Sequence, residues 1–100
     1  MHNATILPDG TVFVNGGTSG GVFNDLTKPV QVPELWDPEK KTWTNMANED
    51  VPRIYHSTSL LLPSGQVLSA GGGEYQNDTK TVEAVHCLTS AQLYDPPYLC

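Results

Sequence analysis

Short apolar runs alternate with turn-forming residues along the whole chain, and no stretch shows the period of an amphipathic helix. Residues 4–7 and 12–15 have the pattern of strands joined by Pro8-Asp9-Gly10, in which Pro presets a negative φ and Gly accepts a positive one. This pattern predicts a β-hairpin that ends at Gly16-Gly17, where the backbone turns sharply or packs closely. Two further short strands are predicted at residues 34–37 and 42–45.

The predicted four-stranded unit occurs twice. The run ILPDGTVFVNGG over residues 6–17 aligns without a gap with LLPSGQVLSAGG over residues 61–72. The later run ELWDP over residues 34–38 returns as QLYDP over residues 92–96. Two matched blocks in the same order define a repeat of roughly 55 residues, near the ~50 residues of a kelch propeller blade.

This repeat predicts an all-β fold made of kelch-type β-propeller blades. Residues 1–50 are expected to form one four-stranded antiparallel blade. Residues 51–100 are expected to form a second, incomplete one, with an inner hairpin over 57–70 and a third strand over 91–95. Because a propeller typically needs ~4–8 blades, two cannot close a ring. The chain is therefore expected to be an internal piece of a larger propeller, or a subunit whose ring is completed by partner chains.

Charge and composition exclude several classes of partner. The chain has 11 acidic and 5 basic residues and a formal net charge of −6. It has no cluster of Lys and Arg, which argues against nucleic acid or an anionic membrane as a partner. It shows neither an apolar run of the ~18 residues that span a membrane nor a signal-peptide pattern at its start.

Two cysteines and two glycosylation triplets bear on the cellular compartment. Cys87 and Cys100 could close one disulfide or stay free thiols, and together with His86 they lack the spacing of a zinc knuckle. Asn3 and Asn77 each begin an Asn-X-Thr triplet, and Asn77 lies in the more loop-like stretch. Such triplets often arise by chance, so they favour secretion only weakly.

Candidate chemistry is concentrated in Tyr55-His56, directly before the predicted inner strand of the second unit. Phenolate oxygen and imidazole nitrogen are both metal donors, and Cu(II), which accepts N/O ligation, is bound most strongly in the divalent series. Adjacent side chains of a regular strand point to opposite faces, so both can bind one ion only if the backbone departs from the pleat here. From residue types alone, a structural pair is the commoner interpretation. Arg53 could favour the Tyr55 phenolate by its charge, or it could brace the loop.

Other polar and aromatic residues have plainer interpretations. His2 lies at a predicted strand start and is expected to be a hydrogen-bonded strand residue, with metal ligation as the less favoured alternative. The pair Glu49-Asp50 is expected to be solvated. Three aromatic residues at outer-strand positions are expected to pack between blades rather than to stack on sugars: Trp36, Trp43 and Tyr94.

Residues 52–73, with the sequence PRIYHSTSLLLPSGQVLSAGGG, closely resemble the copper radical oxidases, the family that includes galactose oxidase and glyoxal oxidase. Residues 2–17 resemble the preceding blade of that family, and residues 91–99 resemble the segment that leaves its last blade. The resemblance spans nearly the whole chain, in order, and implies a fragment that covers roughly the last two blades. Its specific part is the Arg-x-Tyr-His-Ser run, since a generic kelch repeat lacks the Tyr-His pair.

This resemblance implies an activity and a cofactor. The family oxidises a primary alcohol or aldehyde with O2 and releases H2O2, using one copper ion beside a tyrosyl radical on a Tyr cross-linked to Cys. By matching, Tyr55 is an axial copper ligand and the base that accepts the substrate's hydroxyl proton, and His56 is an equatorial ligand. The implied parent is a secreted enzyme that acts on a small alcohol, aldehyde or carbohydrate, and the isolated chain is expected to be inactive.

The chain departs from the family pattern in two respects. No position matches the cross-linked Tyr, its Cys partner or the second His ligand, so other parts of the parent are expected to supply them. Gln31 takes the place of an aromatic substrate contact of galactose-oxidising members, which argues against galactose as the substrate. Two alternatives stay open: a non-catalytic kelch module that binds protein or glycan, and a structural subunit that assembles through its exposed blade faces.

Overall fold

A computed structural model describes residues 2–22, 24–25, 27–73 and 88–99 of the chain. These residues form short strands and one turn of 3₁₀ helix, which confirms the predicted all-β class. The strands are β1 (Asn3–Ile6), β2 (Val12–Asn15), β3 (Glu34–Asp37), β4 (Thr42–Asn45), β5 (Ser57–Leu61), β6 (Val67–Gly71) and β7 (Ala91–Tyr94), and the 3₁₀ turn is Pro97–Leu99. Every strand that the sequence predicts is found, with its bounds shifted by about one residue at most. Within the described ranges, no helix has the length and apolarity needed to cross a membrane.

The strands form two antiparallel sheets, with the orders β1-β2-β3-β4 and β5-β6-β7. The first sheet has the four strands that were predicted, and the second has three in the part of the chain that the structure describes.

Matched turns of the repeat have the same form in both sheets. Gly10 and Gly65 have φ angles of 87° and 88° and donate to the carbonyls of Leu7 and Leu62, respectively. The repeat seen in the sequence is therefore also a repeat of structure.

A row of short polar side chains joins the first strands of the two sheets. Asn3 Nδ2 donates a hydrogen bond to Ser57 Oγ at 3.1 Å, and the hydroxyls of Thr5 and Ser59 share one of the same length. Because these side chains are short, the bonds hold β1 close beside β5. The amide of Asn3, one of the two candidate glycosylation acceptors, is thus engaged in a partly buried hydrogen bond.

The apolar core between the sheets is small and includes an aromatic pair. Leu7, Phe13 and Val67 are buried, and Tyr94 and Tyr98 pack against them. The rings of Phe13 and Tyr94, one from each sheet, have centroids 4.8 Å apart. This contact confirms inter-sheet packing for Tyr94, and burial raises the pKa of its hydroxyl above the ordinary value. Full burial of a side chain such as Phe13 contributes about 1.5–3 kcal/mol.

Each sheet also has an apolar row on the face turned away from the other sheet. Ile6, Val12, Trp36 and Trp43 pair across the first sheet, and Ile6 is 73% exposed and Trp43 56% exposed. The corresponding row of the second sheet consists of Leu60, Leu68 and Leu93. Strand alternation places both rows opposite the side chains of the inter-sheet core. Packing of Trp36 and Trp43 against another blade stays a prediction; in this structure the two rings contact each other, with centroids 5.0 Å apart.

The segment that connects the sheets buries a carboxylate. Glu49 is 3% exposed, so its predicted solvation is wrong, whereas Asp50 is exposed as predicted. Oε1 of Glu49 accepts a hydrogen bond from Asn15 Nδ2 at 2.6 Å, and the same amide group donates to Ser69 Oγ at 3.1 Å. Since Asn15 lies on β2 and Ser69 on β6, this buried cluster ties the connecting segment to both sheets.

Replacing Glu49 by Ala should lower the free energy of unfolding by about 1–3 kcal/mol, because the substitution removes the acceptor of a buried amide. Asp50→Ala, at the adjacent exposed position, should change it by less than about 0.5 kcal/mol. Glu49→Gln should be destabilised less than Glu49→Ala, since an amide oxygen still accepts from Asn15. Urea unfolding followed by tryptophan fluorescence measures all three variants. Equal effects of the two alanine substitutions would contradict this role of Glu49.

The connecting segment also passes very close to the diglycine that follows β2. Gly17 N donates to the Arg53 carbonyl at 2.8 Å. A Cβ atom on Gly16, which has a φ of 73°, would lie 2.7 Å from the same carbonyl oxygen. Because that distance is shorter than van der Waals contact and the φ is positive, glycine is required at this position. The close approach gives a physical reason for the first diglycine of the repeat.

Three glycine-to-alanine substitutions separate the cost of backbone strain from the cost of the close approach. Gly16→Ala should lower the free energy of unfolding by roughly 3 kcal/mol or more, because it combines both costs. Gly10→Ala, with φ 87° and open space around it, should cost only about 1–2 kcal/mol. Gly21→Ala, where a Cβ meets nothing within 4 Å, should stay within about 0.5 kcal/mol of wild type. Chemical denaturation gives the order, and a Gly16 variant no less stable than the Gly10 variant would refute the close approach.

Candidate metal centre

Tyr55 and His56 are the two central residues of a tight turn that runs from Ile54 to Ser57 and precedes β5. Ser57 closes the turn, because its backbone N and its Oγ both donate to the Ile54 carbonyl, at 3.3 Å and 2.7 Å. His56 has a φ of 63°, in the left-handed region that a type II turn requires at its third residue. The inner strand thus begins at Ser57, as predicted, and the backbone before it departs from the regular pleat.

This turn brings the two candidate donor side chains together. The phenol ring of Tyr55 and the imidazole ring of His56 stack with centroids 3.7 Å apart and an angle of 27° between their planes. In a regular strand these neighbours would point to opposite faces. The left-handed backbone of His56 provides the departure from the pleat that binding of one ion by both side chains requires. Tyr55 is half-buried and His56 is exposed. Both rings can therefore approach one ion from the same side of the backbone.

Copper fits the chemistry of this pair. A phenolate oxygen and an imidazole nitrogen form the N/O donor combination that Cu(II) accepts. The described ranges contain no group of three or more His, Cys, Asp and Glu side chains placed to hold a metal ion. Tyr55 and His56 are thus two donors of a candidate site rather than a full coordination sphere.

Gly71 and Gly73, at the end of β6, contact this turn from the second sheet. Gly73 N donates to the Tyr55 carbonyl at 2.9 Å. A Cβ atom on Gly71 would lie 3.2 Å from the carbonyl oxygen of His56, so the two backbones are in close contact. The segment that carries the candidate donors therefore lies between Gly16-Gly17, which follow β2, and Gly71 and Gly73 at the end of β6.

Arg53 is fully buried two residues before Tyr55, at 1% exposure. Its Nη1 donates to the Gly71 carbonyl and its Nη2 donates to Ser90 Oγ, both at 3.0 Å. These contacts are those of a residue that braces the loop, which was one of its two predicted roles. The other role, to favour the Tyr55 phenolate by charge, stays a prediction.

The remaining sequence-predicted candidates lie apart from this turn or outside the described residues. His2 is exposed and lines a cavity of about 240 Å³ on the first sheet, together with Val14, Gly16 and Glu34. Tyr55 and His56 are not among the residues that line this cavity. Four candidates lie outside the described residues: Asn77, His86, Cys87 and Cys100.

Sequence reasoning missed two features, the burial of Glu49 and the backbone contacts that the glycines make with the connecting segment. Two hydrogen bonds join Glu49 to Gln31. Glu49 N donates to the Gln31 carbonyl at 2.7 Å, and Gln31 Nε2 donates to the Glu49 carbonyl at 3.1 Å. No local signal marks Glu49 for burial. The close contacts of Gly16 and Gly71 with the connecting segment could have been predicted, since Gly16-Gly17 recurs as Gly71-Gly72 at the matched place of the repeat.

Comparisons with known proteins give a consistent relationship. Residues 1–98 match the family model described as glyoxal oxidase N-terminus. Galactose oxidase of Gibberella zeae is 39% identical over 103 residues, which cover 99% of this chain and 14% of that protein. Aldehyde oxidase GLOX1 of Arabidopsis thaliana is 32% identical over 104 residues, which cover 99% of this chain and 17% of that protein. A solved structure of a fungal alcohol oxidase of the AA5 family, in complex with copper, matches with a TM-score of 0.80 and 35% identity over 98% of this chain and 19% of its own.

These matches settle the fold class and the family. The chain spans between 14% and 19% of the length of the three proteins. The likeness to the alcohol oxidase structure confirms the β-propeller fold class. The matched family model describes the N-terminal part of glyoxal oxidase, and the predicted place of this chain in the last two blades stays a prediction. The chain belongs to the family of galactose oxidase and glyoxal oxidase, the copper radical oxidases.

Proposed function

We propose that this chain supplies two copper ligands, Tyr55 and His56, to a secreted copper radical oxidase that oxidises a primary alcohol or aldehyde. The observation that carries the proposal is the turn at these residues. The positive φ of His56 and the 3.7 Å ring stack place a phenol and an imidazole on one side of the backbone, where a regular strand would separate them. Family membership supports copper as the ion.

The proposal gives each residue a role. Copper, when bound beside a radical on a cross-linked Tyr-Cys pair, would supply the two-electron oxidation, in which an alcohol RCH2OH and O2 give RCHO and H2O2. Tyr55 would hold the ion through its phenolate oxygen and would accept the substrate's hydroxyl proton at that atom. His56 would hold the ion through an imidazole nitrogen.

In this proposal, residues 1–50 and 51–100 are two successive blades, the last two of the propeller. The remaining blades, or partner chains, supply the cross-linked Tyr-Cys pair and the second His ligand. Support comes from the two outward apolar rows, which include Trp43 and Leu60 and would be covered by neighbouring blades. The short share of each relative that the chain spans also agrees with a larger parent. The isolated chain is accordingly proposed to be inactive.

We further propose a small alcohol, aldehyde or carbohydrate as the substrate, and galactose is disfavoured. The relatives' names include a galactose oxidase, aldehyde oxidases and an alcohol oxidase. Gln31, which takes the place of an aromatic substrate contact, uses its amide nitrogen to bond the Glu49 carbonyl. An amide engaged in this way offers no ring face against which a sugar could pack.

Copper binding by the chain tests the ligand assignment directly. We expect wild type to bind Cu(II) and to show a phenolate-to-Cu(II) charge-transfer band, and Tyr55→Phe to lose the band, because the phenolate oxygen is removed. His56→Ala should raise the Cu(II) dissociation constant by at least about tenfold, since it removes the imidazole donor. Absorption spectroscopy and copper titration measure the two effects.

Two matched variants serve as controls for these substitutions. Tyr98→Phe removes a phenol that bonds the Gly65 carbonyl, and His2→Ala removes an exposed imidazole on the first sheet. Both should retain the band and the affinity of wild type. In a polypeptide that also contains the remaining blades, Tyr55→Phe should lower peroxide release by about 10²–10⁴-fold, the range of a lost acid–base group. Unchanged peroxide release would leave a non-catalytic propeller module as the better interpretation.

A further inference from the structure

We infer that Arg53 is a positioning residue, which fixes the turn so that Tyr55 and His56 present their rings on the same side. The inference deepens the proposed function and rests on it, because the placement of both rings on one side matters only if Tyr55 and His56 are copper ligands. Arg53 itself bears no donor for a metal ion. It acts through the backbone and through the second sheet.

Burial of Arg53 requires a specific reason. It has the largest fully buried side chain of the described residues, at 1% exposure. An arginine is almost never fully buried unless its donors find partners, because desolvating the guanidinium is costly. Here the two terminal nitrogens donate to the Gly71 carbonyl and to Ser90 Oγ, both at 3.0 Å. The planar fork therefore joins the end of β6 to the residue directly before β7.

Both ends of Arg53 are fixed, each by a different sheet. Its side chain is bonded to the second sheet, while its backbone carbonyl accepts from Gly17 N of the first sheet at 2.8 Å. Gly16 allows this approach, since a Cβ there would lie 2.7 Å from the same oxygen. The position of the chain two residues before Tyr55 is thus set from both sides.

Gly71 links this anchor to the turn itself. Its carbonyl accepts from Arg53 Nη1, and its missing Cβ leaves room for the His56 carbonyl, which would lie 3.2 Å from such an atom. Gly73 N, two residues on, donates to the Tyr55 carbonyl at 2.9 Å. A shift of Arg53 relative to β6 would therefore disturb the contacts of Tyr55 and His56 together.

His56 needs such an anchor because its backbone conformation is unfavourable. A non-glycine residue in the left-handed region is uncommon and persists only where surrounding contacts enforce it. The φ of 63° at His56 is what brings the imidazole onto the side of the phenol. If the anchor weakens, the turn can relax towards the extended form, in which the two rings separate.

A substitution that keeps the charge distinguishes positioning from electrostatics. Lysine retains the positive charge of Arg53 but has a single ammonium group in place of the fork, so it cannot reproduce both bonds in the same geometry. Ser90→Ala removes one partner of the fork and leaves the charge in place. Thr89→Ala, at the exposed neighbouring position, removes a hydroxyl of similar size and serves as the matched control.

The experiment has one readout that needs no metal and one that does. In the metal-free chain, nuclear Overhauser contacts between the Tyr55 and His56 rings should be strong in wild type and Thr89→Ala. They should be weaker in Ser90→Ala and lost in Arg53→Lys. The Cu(II) dissociation constant should rise in the same order, by about 10- to 100-fold for Arg53→Lys.

Wild-type ring contacts in both Arg53→Lys and Ser90→Ala would overturn the inference. Wild-type contacts in Arg53→Lys alone would also overturn it, in favour of a charge effect. If Arg53→Lys does not fold, the comparison of Ser90→Ala with Thr89→Ala decides. The metal-free readout separates this inference from the proposed function: a wild-type chain that binds no Cu(II) would refute the ligand assignment, while loss of the ring contacts in the variants would still establish positioning.

Discussion

The close contact between the Arg53 backbone and the first diglycine is the constraint on which the arrangement of this chain depends. Gly17 N bonds the Arg53 carbonyl, and the absence of a side chain on Gly16 lets the connecting segment approach the first sheet. From that point the chain turns through Tyr55 and His56 into β5. The separation of the sheets and the direction in which the candidate donors project are thus set by the same few backbone atoms.

Local turn chemistry accounts for the part of the fold that the sequence could predict. The Pro-x-Gly turns, the alternating strands and the repeat gave the strand bounds to about one residue, because these features depend on neighbours in the chain. Burial of Glu49 could not be predicted in this way. Its partner Asn15 lies on β2, and that amide also bonds Ser69 of β6, so the carboxylate is buried only once both sheets are assembled.

The candidate site shows the same division between local and long-range causes. The sequence identified Tyr55 and His56 as the donor pair and stated the backbone condition for joint ligation. It could not show that the condition is met, because nothing in a histidine at this place demands a positive φ. That conformation follows from contacts with Ser57, Gly71 and Gly73, which the fold supplies. The bracing contacts of Arg53 are long-range in the same sense.

The left-handed conformation of His56 limits which residues can replace it in the course of evolution. A position with φ 63° disfavours most side chains, and β-branched ones above all, while Gly, Asn, Asp and His are the residues that tolerate it best. Of these four, only His offers an imidazole nitrogen, and Gly offers no side-chain donor at all. Backbone tolerance and donor chemistry together therefore leave His as the one residue that supplies a nitrogen ligand from this conformation, while Asn and Asp could supply only an oxygen. A nitrogen donor from any other side chain would require the turn to be rebuilt.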